Sequence, residues 1–235
     1  MLAAHTKNLP YLKPHNPTHP QAVNSYQKAV AIKPSHSAHF NIATSLHSLG
    51  RLEEASVAVK KALAINSDAD TLATHASIAL SLGNHREALE ACDAAIGVDS
   101  KHVDAHHQRG LTHHMLGDSK KAVKDLVKAH SMRREDPRIL HSLGAAHASA
   151  NSTNSALSAF EGALERMQAD PNTHPRDAAD TLTAKGATLH ASGRTHEAAH
   201  SFTSALKLDP GHASAKANLQ ALFHSSGIDS WFFAR

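Results

Sequence analysis

A repeat with a period of about 33 residues is the feature that most constrains the fold of this 235-residue chain. One alanine recurs with spacings of 33, 33, 34, 34 and 42 residues, at Ala22, Ala55, Ala88, Ala122, Ala156 and Ala198. A larger side chain or Cys follows four residues later, at Tyr26, Val59, Cys92, Leu126, Phe160 and Phe202, and another alanine follows seven residues later. Self-similarity at this period is typical of stacked arrays, in which each unit packs against its sequence neighbours.

The spacing inside each unit predicts two helices joined by a tight turn. Residues three and four apart share one face of a helix, so the alanines and the larger residue between them form one apolar stripe. Twelve residues before the first alanine stands a small residue that permits close helix contact: Ala43, Ala76, Gly110, Gly144 and Gly186. Five residues before it stand residues that suit the left-handed end of a helix: Gly50, Gly83, Gly117, Asn151 and Gly193. The pattern therefore predicts an all-α chain.

Three segments resemble the helix-turn-helix signature of the tetratricopeptide repeat family. They are Gly-Arg-Leu-Glu-Glu-Ala at 50–55, Gly-Asn-His-Arg-Glu-Ala at 83–88 and Ala-Leu-Lys-Leu-Asp-Pro at 205–210. The resemblance covers about residues 20–227 and implies a right-handed helix-turn-helix solenoid of about 12 helices. The chain departs from the family where a Trp often opens the first helix, because His39, Leu72, His106, Leu140 and Leu182 stand there.

The repeat positions also predict the organisation of the chain. Residues 1–19 form a Pro- and His-rich irregular lead-in, residues 20–34 a half repeat, residues 213–227 a capping helix and residues 228–235 an aromatic tail with Trp231-Phe232-Phe233. The predicted full repeats are 36–68, 69–101, 102–136, 137–168 and 177–210. The wider spacing before the last repeat is assigned to a loop over 169–176, which contains two prolines.

The resemblance further implies that a partner binds in a concave groove lined by the first helix of each pair. The corresponding positions are Phe40, Thr44, His47, Ala73, Ser77, Leu80, His107, Leu111, His114, His141, Ala145, Ala148, Thr183, Ala187 and His190. None of them is Lys, Arg or Asn, so the carboxylate clamp of some relatives is not expected. Asp70, Asp104 and Asp180 lie near the rim, with Arg138 interrupting, which favours a partner segment with basic and small apolar residues.

The chain contains 22 His, for which three interpretations remain open. They are solvated substitutes for other polar residues, they make the groove sensitive to pH, or some of them bind metal. The densest cluster is His102, His106, His107, His113 and His114. His107 and His114 are two helical turns apart, about 10 Å, which is too far to share one ion. No metal site and no cofactor are therefore predicted.

Nothing in the sequence predicts catalysis, since Cys92 falls in a packing position and no phosphate-binding loop follows a strand. A formal charge of +3 is too small to favour nucleic acid. No apolar stretch reaches the roughly 18 residues of a membrane helix. We therefore expect a cytoplasmic protein that is not an enzyme.

Two function classes compete. The first is a scaffold or adaptor that binds a protein segment in the groove. The second is a structural subunit of a larger assembly that associates with itself or with other chains through its termini. A regulatory arm of a separate catalytic subunit is a third possibility that the sequence does not test.

Overall fold

The computed structural model describes residues 20–226, which form twelve α-helices and no strand. The predicted lead-in at 1–19 and the tail with Trp231-Phe232-Phe233 lie outside the described residues. The helices are α1 (Pro20–Ile32), α2 (His36–Ser48), α3 (Leu52–Ile65), α4 (Ala69–Ser81), α5 (His85–Val98), α6 (Val103–Met115), α7 (Ser119–Met132), α8 (Pro137–Ser149), α9 (Thr153–Ala169), α10 (Pro175–Ala191), α11 (Thr195–Leu208) and α12 (Ala213–Ser226). The predicted all-α class is confirmed.

The helices form a continuous row of hairpins. Helices α2 to α11 make five helix pairs, and each pair packs against the next through the second helix of one and the first helix of the following one. First helices of successive pairs also contact each other, whereas second helices of residues 20–226 make no comparably extensive contacts. The first helices therefore line the inner, concave side of the stack, as the solenoid prediction requires.

The repeated alanines of the second helices form the buried stripe of each hairpin. Ala55, Val59 and Ala62 have no exposed surface, and the equivalent residues of α5, α7, α9 and α11 are likewise buried. The small residue of the first helix lies directly against the larger residue of the stripe. A Cβ atom on Gly144 would lie 2.6 Å from Phe160 Cε1, and one on Gly110 would lie 2.7 Å from Leu126 Cγ. The apolar pattern thus specifies the closest contact in each pair.

The turns inside the helix pairs have the predicted left-handed residue. Gly50, Gly83, Gly117 and Gly193 have φ between 73° and 79°, and Asn151 has φ 57°. In the first turn, the N–H groups of Gly50 and Arg51 donate to the carbonyls of His47 and Leu46 at 3.0 and 2.9 Å. These bonds satisfy carbonyls that the end of α2 would otherwise leave open.

The additional residues that widen the spacing before the last full pair lie mostly in helices α9 and α10. The predicted loop over 169–176 is therefore longer than the observed one. Helices α9 and α10 each have 17 residues, whereas the other helices of the pairs have 13 or 14, and only residues 170–174 separate α9 from α10. Pro175 occupies the first turn of α10, where its missing N–H breaks no bond. The extra turn of α9 is stabilised because Met167 is buried in it.

Candidate functional site

The inner face of α2, α4 and α6 contains a cavity of about 430 Å³. It is lined by Phe40, Thr44, His47, Ser48, Asp70, Ala73, Thr74, Ser77, His102, Asp104, His107, Gln108, Arg133 and Arg138. Six of the predicted groove positions lie together here: Phe40, Thr44, His47, Ala73, Ser77 and His107. The cavity is long, open and mostly polar, so it can accept an extended chain with hydrogen-bonding groups.

The other predicted groove residues lie on the same series of first helices but not in this cavity. His141 lines a smaller cavity of about 210 Å³ with Met167 and Thr181. The remaining eight line neither cavity: Leu80, Leu111, His114, Ala145, Ala148, Thr183, Ala187 and His190. Thr183 is buried and its hydroxyl donates to the Ala179 carbonyl, whereas Ala187 and His190 are exposed.

Several residues of the cavity were not predicted from the sequence. Three of them, Ser48, Thr74 and Gln108, each come directly after a predicted groove residue. A prediction that had included the residue after each groove position would have found them. His102 and Arg133 carry no such signal. They lie at helix ends, and their side chains reach the cavity from outside the first-helix columns.

Histidines of the first helices join successive repeats. His47 Nε2 is 2.9 Å from Ser81 Oγ, His107 Nε2 is 2.9 Å from Ser142 Oγ, and His141 Nδ1 is 2.9 Å from Thr181 Oγ1. Each of these hydroxyls donates its own hydrogen to a carbonyl one turn earlier in its helix. The imidazole nitrogen must therefore be the donor, which assigns the tautomer of each neutral ring. None of the three interpretations of the histidines anticipated this role.

Two further histidines cap the N-terminus of a helix and bind the preceding repeat at the same time. His102 Nδ1 accepts from the Ala105 N–H at 3.1 Å, and its Nε2 donates to Asp70 at 2.9 Å. His212 repeats this arrangement with the Ala215 N–H at 3.1 Å and Asp180 at 2.8 Å. Two rim carboxylates of the groove are thus hydrogen-bonded to a neighbouring repeat.

Burial keeps the bridging histidines uncharged. Desolvation, with a smaller contribution from the charge of Arg138, lowers the pKa of His107 to about 4. Desolvation also lowers the pKa of His47 and of His141. These rings are neutral at pH 7, so a groove that changes charge near neutral pH is not supported at these three positions.

The charges of the cavity are unevenly available. Arg133 holds Asp104 through two hydrogen bonds of 2.8 and 3.2 Å, so that carboxylate is largely neutralised. Asp70 remains 82% exposed beyond its bond to His102. Burial alone would raise the pKa of Asp136, but the hydrogen bonds and charge of Arg138 outweigh it and lower that pKa. Arg138 itself is 70% exposed. The cavity therefore presents the exposed carboxylate of Asp70 on α4 and the exposed guanidinium of Arg138, which also binds Asp136, on α8.

The predicted histidine cluster of α6 is dispersed among separate partners. His102 binds Asp70, His106 binds Asp125 and the Ser100 carbonyl, and His107 binds Ser142. Within residues 20–226 no three His, Cys, Asp or Glu side chains are grouped so that they could hold a metal ion. Cys92 is buried, and desolvation raises its pKa to about 12, so its thiol stays protonated.

Models of the tetratricopeptide repeat match residues 36–68, 74–131 and 179–212, which together make up just over half of the chain. The chain belongs to the tetratricopeptide repeat family. None of its helices within residues 20–226 combines the length and the hydropathy needed for a bilayer span.

Solved tetratricopeptide repeat proteins share this fold at low sequence identity. YrrB, which has an unusual peptide-binding site, superposes with a TM-score of 0.59 and 22% identity over 85% of this chain and 100% of YrrB. TTC0263 of Thermus thermophilus gives 0.68 and 17% over 81% of this chain and 100% of that chain. The APC/C hetero-tetramer Cut9–Hcn1 gives 0.77 and 16% over 86% of this chain and 39% of that chain. These similarities show the architecture alone.

Among curated proteins, the chain is similar to two plant DnaJ proteins. It is 28% identical over 146 residues to the DnaJ protein P58IPK homolog of Arabidopsis thaliana, and 29% identical over 143 residues to the P58IPK homolog B of Oryza sativa subsp. japonica. The matches cover 54% and 53% of this chain but only 30% of each relative.

Proposed function

We propose that this tetratricopeptide repeat chain is a non-catalytic scaffold that binds an extended segment of a partner protein in its concave groove. The observation that carries the proposal is the cavity of about 430 Å³ that crosses three successive first helices. An extended peptide rises about 3.3 Å per residue, so a short segment contacts all three helices. Hydroxyl, amide and carboxylate groups on the cavity wall can hydrogen-bond its backbone.

The charge arrangement suggests a direction for the bound segment. Asp70 is free to pair with a Lys or Arg, whereas Asp104 is already held by Arg133. Arg138 is bound to Asp136 at 2.8 Å, but its side chain is 70% exposed and can also meet an Asp, a Glu or a terminal carboxylate. The preference for a basic segment, which was predicted from the sequence, is thereby restricted to the subsite at Asp70, and the subsite at Arg138 accepts an acidic group.

The proposal can be tested with a variant that fills the cavity without entering the core. The variant is Thr44→Arg with Ser77→Arg; both side chains line the cavity and are only half-buried. We expect the amount of partner protein that it captures to fall about tenfold or more below the wild-type amount. The readout is affinity capture with quantitative mass spectrometry, followed by peptide arrays of the captured proteins. The arrays should favour Lys or Arg at the position facing Asp70.

A matched control makes the same two types of substitution, with the same added charge, outside the cavity. Thr203→Arg with Ser204→Arg places the same substitutions on α11, where both residues are also half-buried, and should leave capture unchanged. Equal losses from both variants would contradict groove binding. If the chain instead self-associates in sedimentation, and deletion of 228–235 abolishes that association, the alternative of a structural assembly subunit would replace the scaffold.

A further inference from the structure

The outer face of α7 carries a line of lysines. Lys120, Lys124 and Lys128 are exposed and four residues apart, so they lie on one side of the helix over about 12 Å. The buried side of the helix is formed by other residues: Ala122, Asp125, Leu126 and Ala129. On a second helix, this lysine face points away from the concave groove.

Among the described residues, these three lysines have no acidic partner. Several charges beside or on second helices are paired, as in Arg51–Glu54 at 2.7 Å, Arg86–Glu90 at 2.9 Å and Lys60–Glu87 at 2.9 Å. Lys61 of α3 and Lys207 of α11 also lack a pair there, but each is the single unpaired lysine of its helix, whereas α7 has three such lysines on one side. Lys121 of α7 pairs with Asp118 at 2.8 Å. Within residues 20–226, no carboxylate forms an ion pair with the amino groups of Lys120, Lys124 or Lys128. Their charges are available to another molecule.

Two adjoining clefts lie beside the lysine face. One, of about 310 Å³, is bounded by Leu89 and Asp93 of α5 together with Lys121 and Lys124 of α7. The other, of about 400 Å³, is bounded by Lys124, Val127, Lys128 and Ser131 of α7. They share Lys124 and a common floor of Arg109 and Asp125, so they form one groove along the helix. Lys124 and Lys128 line this groove, and Lys120 lies one helical turn before Lys124, outside the lining.

The charged groups in the floor of this outer groove are bonded to one another. Arg109 donates to both oxygens of Asp125 at 2.7 and 2.8 Å and to Asp93 at 2.6 Å. His106 also contacts Asp125, at 3.3 Å. Arg109, Lys121, Lys124 and Lys128 outnumber Asp93 and Asp125 in the lining, so the groove offers a net positive charge to an incoming ligand. Val127, which is 48% exposed, adds an apolar contact between the lysines.

We infer that the outer groove along α7 is a docking site for an acidic segment of a partner protein. Carboxylates of that segment pair with Lys120, Lys124 and Lys128, and an apolar side chain covers Val127. The neighbouring second helices expose carboxylates, Glu90 on α5 and Glu165 on α9. A broad anionic surface, such as a membrane or a DNA duplex, would be repelled by these carboxylates. A narrow peptide can bind along α7 without contacting them. The site is separate from the concave groove, so one chain can hold two partners.

The test uses the full chain and a fluorescein-labelled, Glu-rich helical peptide containing one Leu. We expect measurable binding by fluorescence anisotropy at low salt, which weakens as salt is added. Lys120→Glu with Lys124→Glu and Lys128→Glu should weaken it by about tenfold or more. The neutral triple Lys→Gln variant at the same positions provides the same test if charge reversal impairs folding.

The control is a triple reversal elsewhere, Lys61→Glu, Lys207→Glu and Lys216→Glu, which changes the net charge equally at exposed positions. It should alter affinity by about twofold or less, since remote exposed charges are screened. Three outcomes would overturn the inference: no binding by the wild-type chain, equal loss in both triples, or binding to phosphatidylserine vesicles or duplex DNA but not to the peptide. Binding of this peptide by the Thr44→Arg, Ser77→Arg variant separates this site from the concave groove.

Discussion

Side chains that meet between the two helices of a hairpin are matched in size. Where the second helix presents Val59 or Cys92, the first helix has an alanine in the same apolar cluster. Where the second helix presents Leu126, Phe160 or Phe202, the first helix has a glycine against which the larger side chain lies. Since protein interiors are close-packed, one additional methyl group in such a contact requires the neighbour to move.

Gly144→Ala is therefore expected to destabilise the protein. The new Cβ would lie within 3.0 Å of three ring atoms of Phe160, which is fully buried and has little freedom to shift. Overpacking costs about 1–3 kcal/mol and the better helix propensity of Ala returns about 1 kcal/mol, so a net loss of up to about 2 kcal/mol is expected. Urea denaturation followed by circular dichroism measures it.

Gly97→Ala is the control for this substitution. Its added Cβ would meet no side chain and no other helix within 4 Å, so it should stabilise α5 by up to about 1 kcal/mol. Adding Phe160→Val to Gly144→Ala recreates the alanine–valine contact of the first hairpin and should cost less than the sum of the two single substitutions. Additive losses would contradict size matching.

At the scale of the helices, the last element shields the end of the described stack. Leu222 and Ala215 of α12 have no exposed surface, and α12 packs on α10 and α11. Leu222 lies in one cluster with Leu189 and Phe202. The predicted loop over 169–176 is also shortened at this scale: Pro175 begins α10, and buried Met167 lies in the additional turn of α9.

Leu222→Ala should destabilise the C-terminal helices of the stack and leave the stability of the N-terminal helices unchanged. Removing a fully buried Leu costs about 2–5 kcal/mol, and in a stacked array this loss is felt mainly by neighbouring repeats. Hydrogen exchange should show reduced protection in α10, α11 and α12, with α2 to α5 unchanged. Leu208→Ala, at a position 46% exposed, should change stability by about 0.5 kcal/mol or less. Uniform loss of protection would contradict this localised effect.

At the scale of the whole molecule, hydrogen bonds between repeats connect successive first helices. His47, His107 and His141 each donate to a hydroxyl 34 to 40 residues away in sequence. Such bonds act in addition to the apolar stripes and hold each hairpin against the next. A protonated ring would keep its N–H donor, but burial disfavours its charge, so the stability of the stack depends on pH.

Acidification should lower the free energy of unfolding before most carboxylates titrate. Burial lowers the pKa of His39, His47, His107, His130, His141 and His147 in the folded state. The unfolded chain therefore takes up more protons as pH falls below about 6.5, and stability decreases until the folded pKa is passed. For His107, with a folded pKa of about 4, the full loss is about 3 kcal/mol.

His107→Gln isolates this contribution because Gln is a donor that never charges. The difference in urea midpoint between pH 7 and pH 5 should be smaller in this variant than in the wild-type chain. His196→Gln, at an exposed position of α11, should keep the wild-type difference. If His107→Gln retains the full pH dependence, the pKa of His107 in the folded chain is not lowered as its burial predicts.

The sequence by itself determined the hairpins, their turns and the residues of their buried stripes, because these features depend on residues within one repeat and recur at the same offsets. It also placed the groove positions on the first helices. Only the tertiary structure decided which of these positions share a cavity, which histidines bridge repeats and which lysines of α7 have no partner. The cavity and the histidine bonds depend on side chains 30 or more residues apart in sequence, and the unpaired lysines depend on there being no carboxylate near them in space. The period of the repeat does not specify how one repeat is oriented on the next, so it predicts neither.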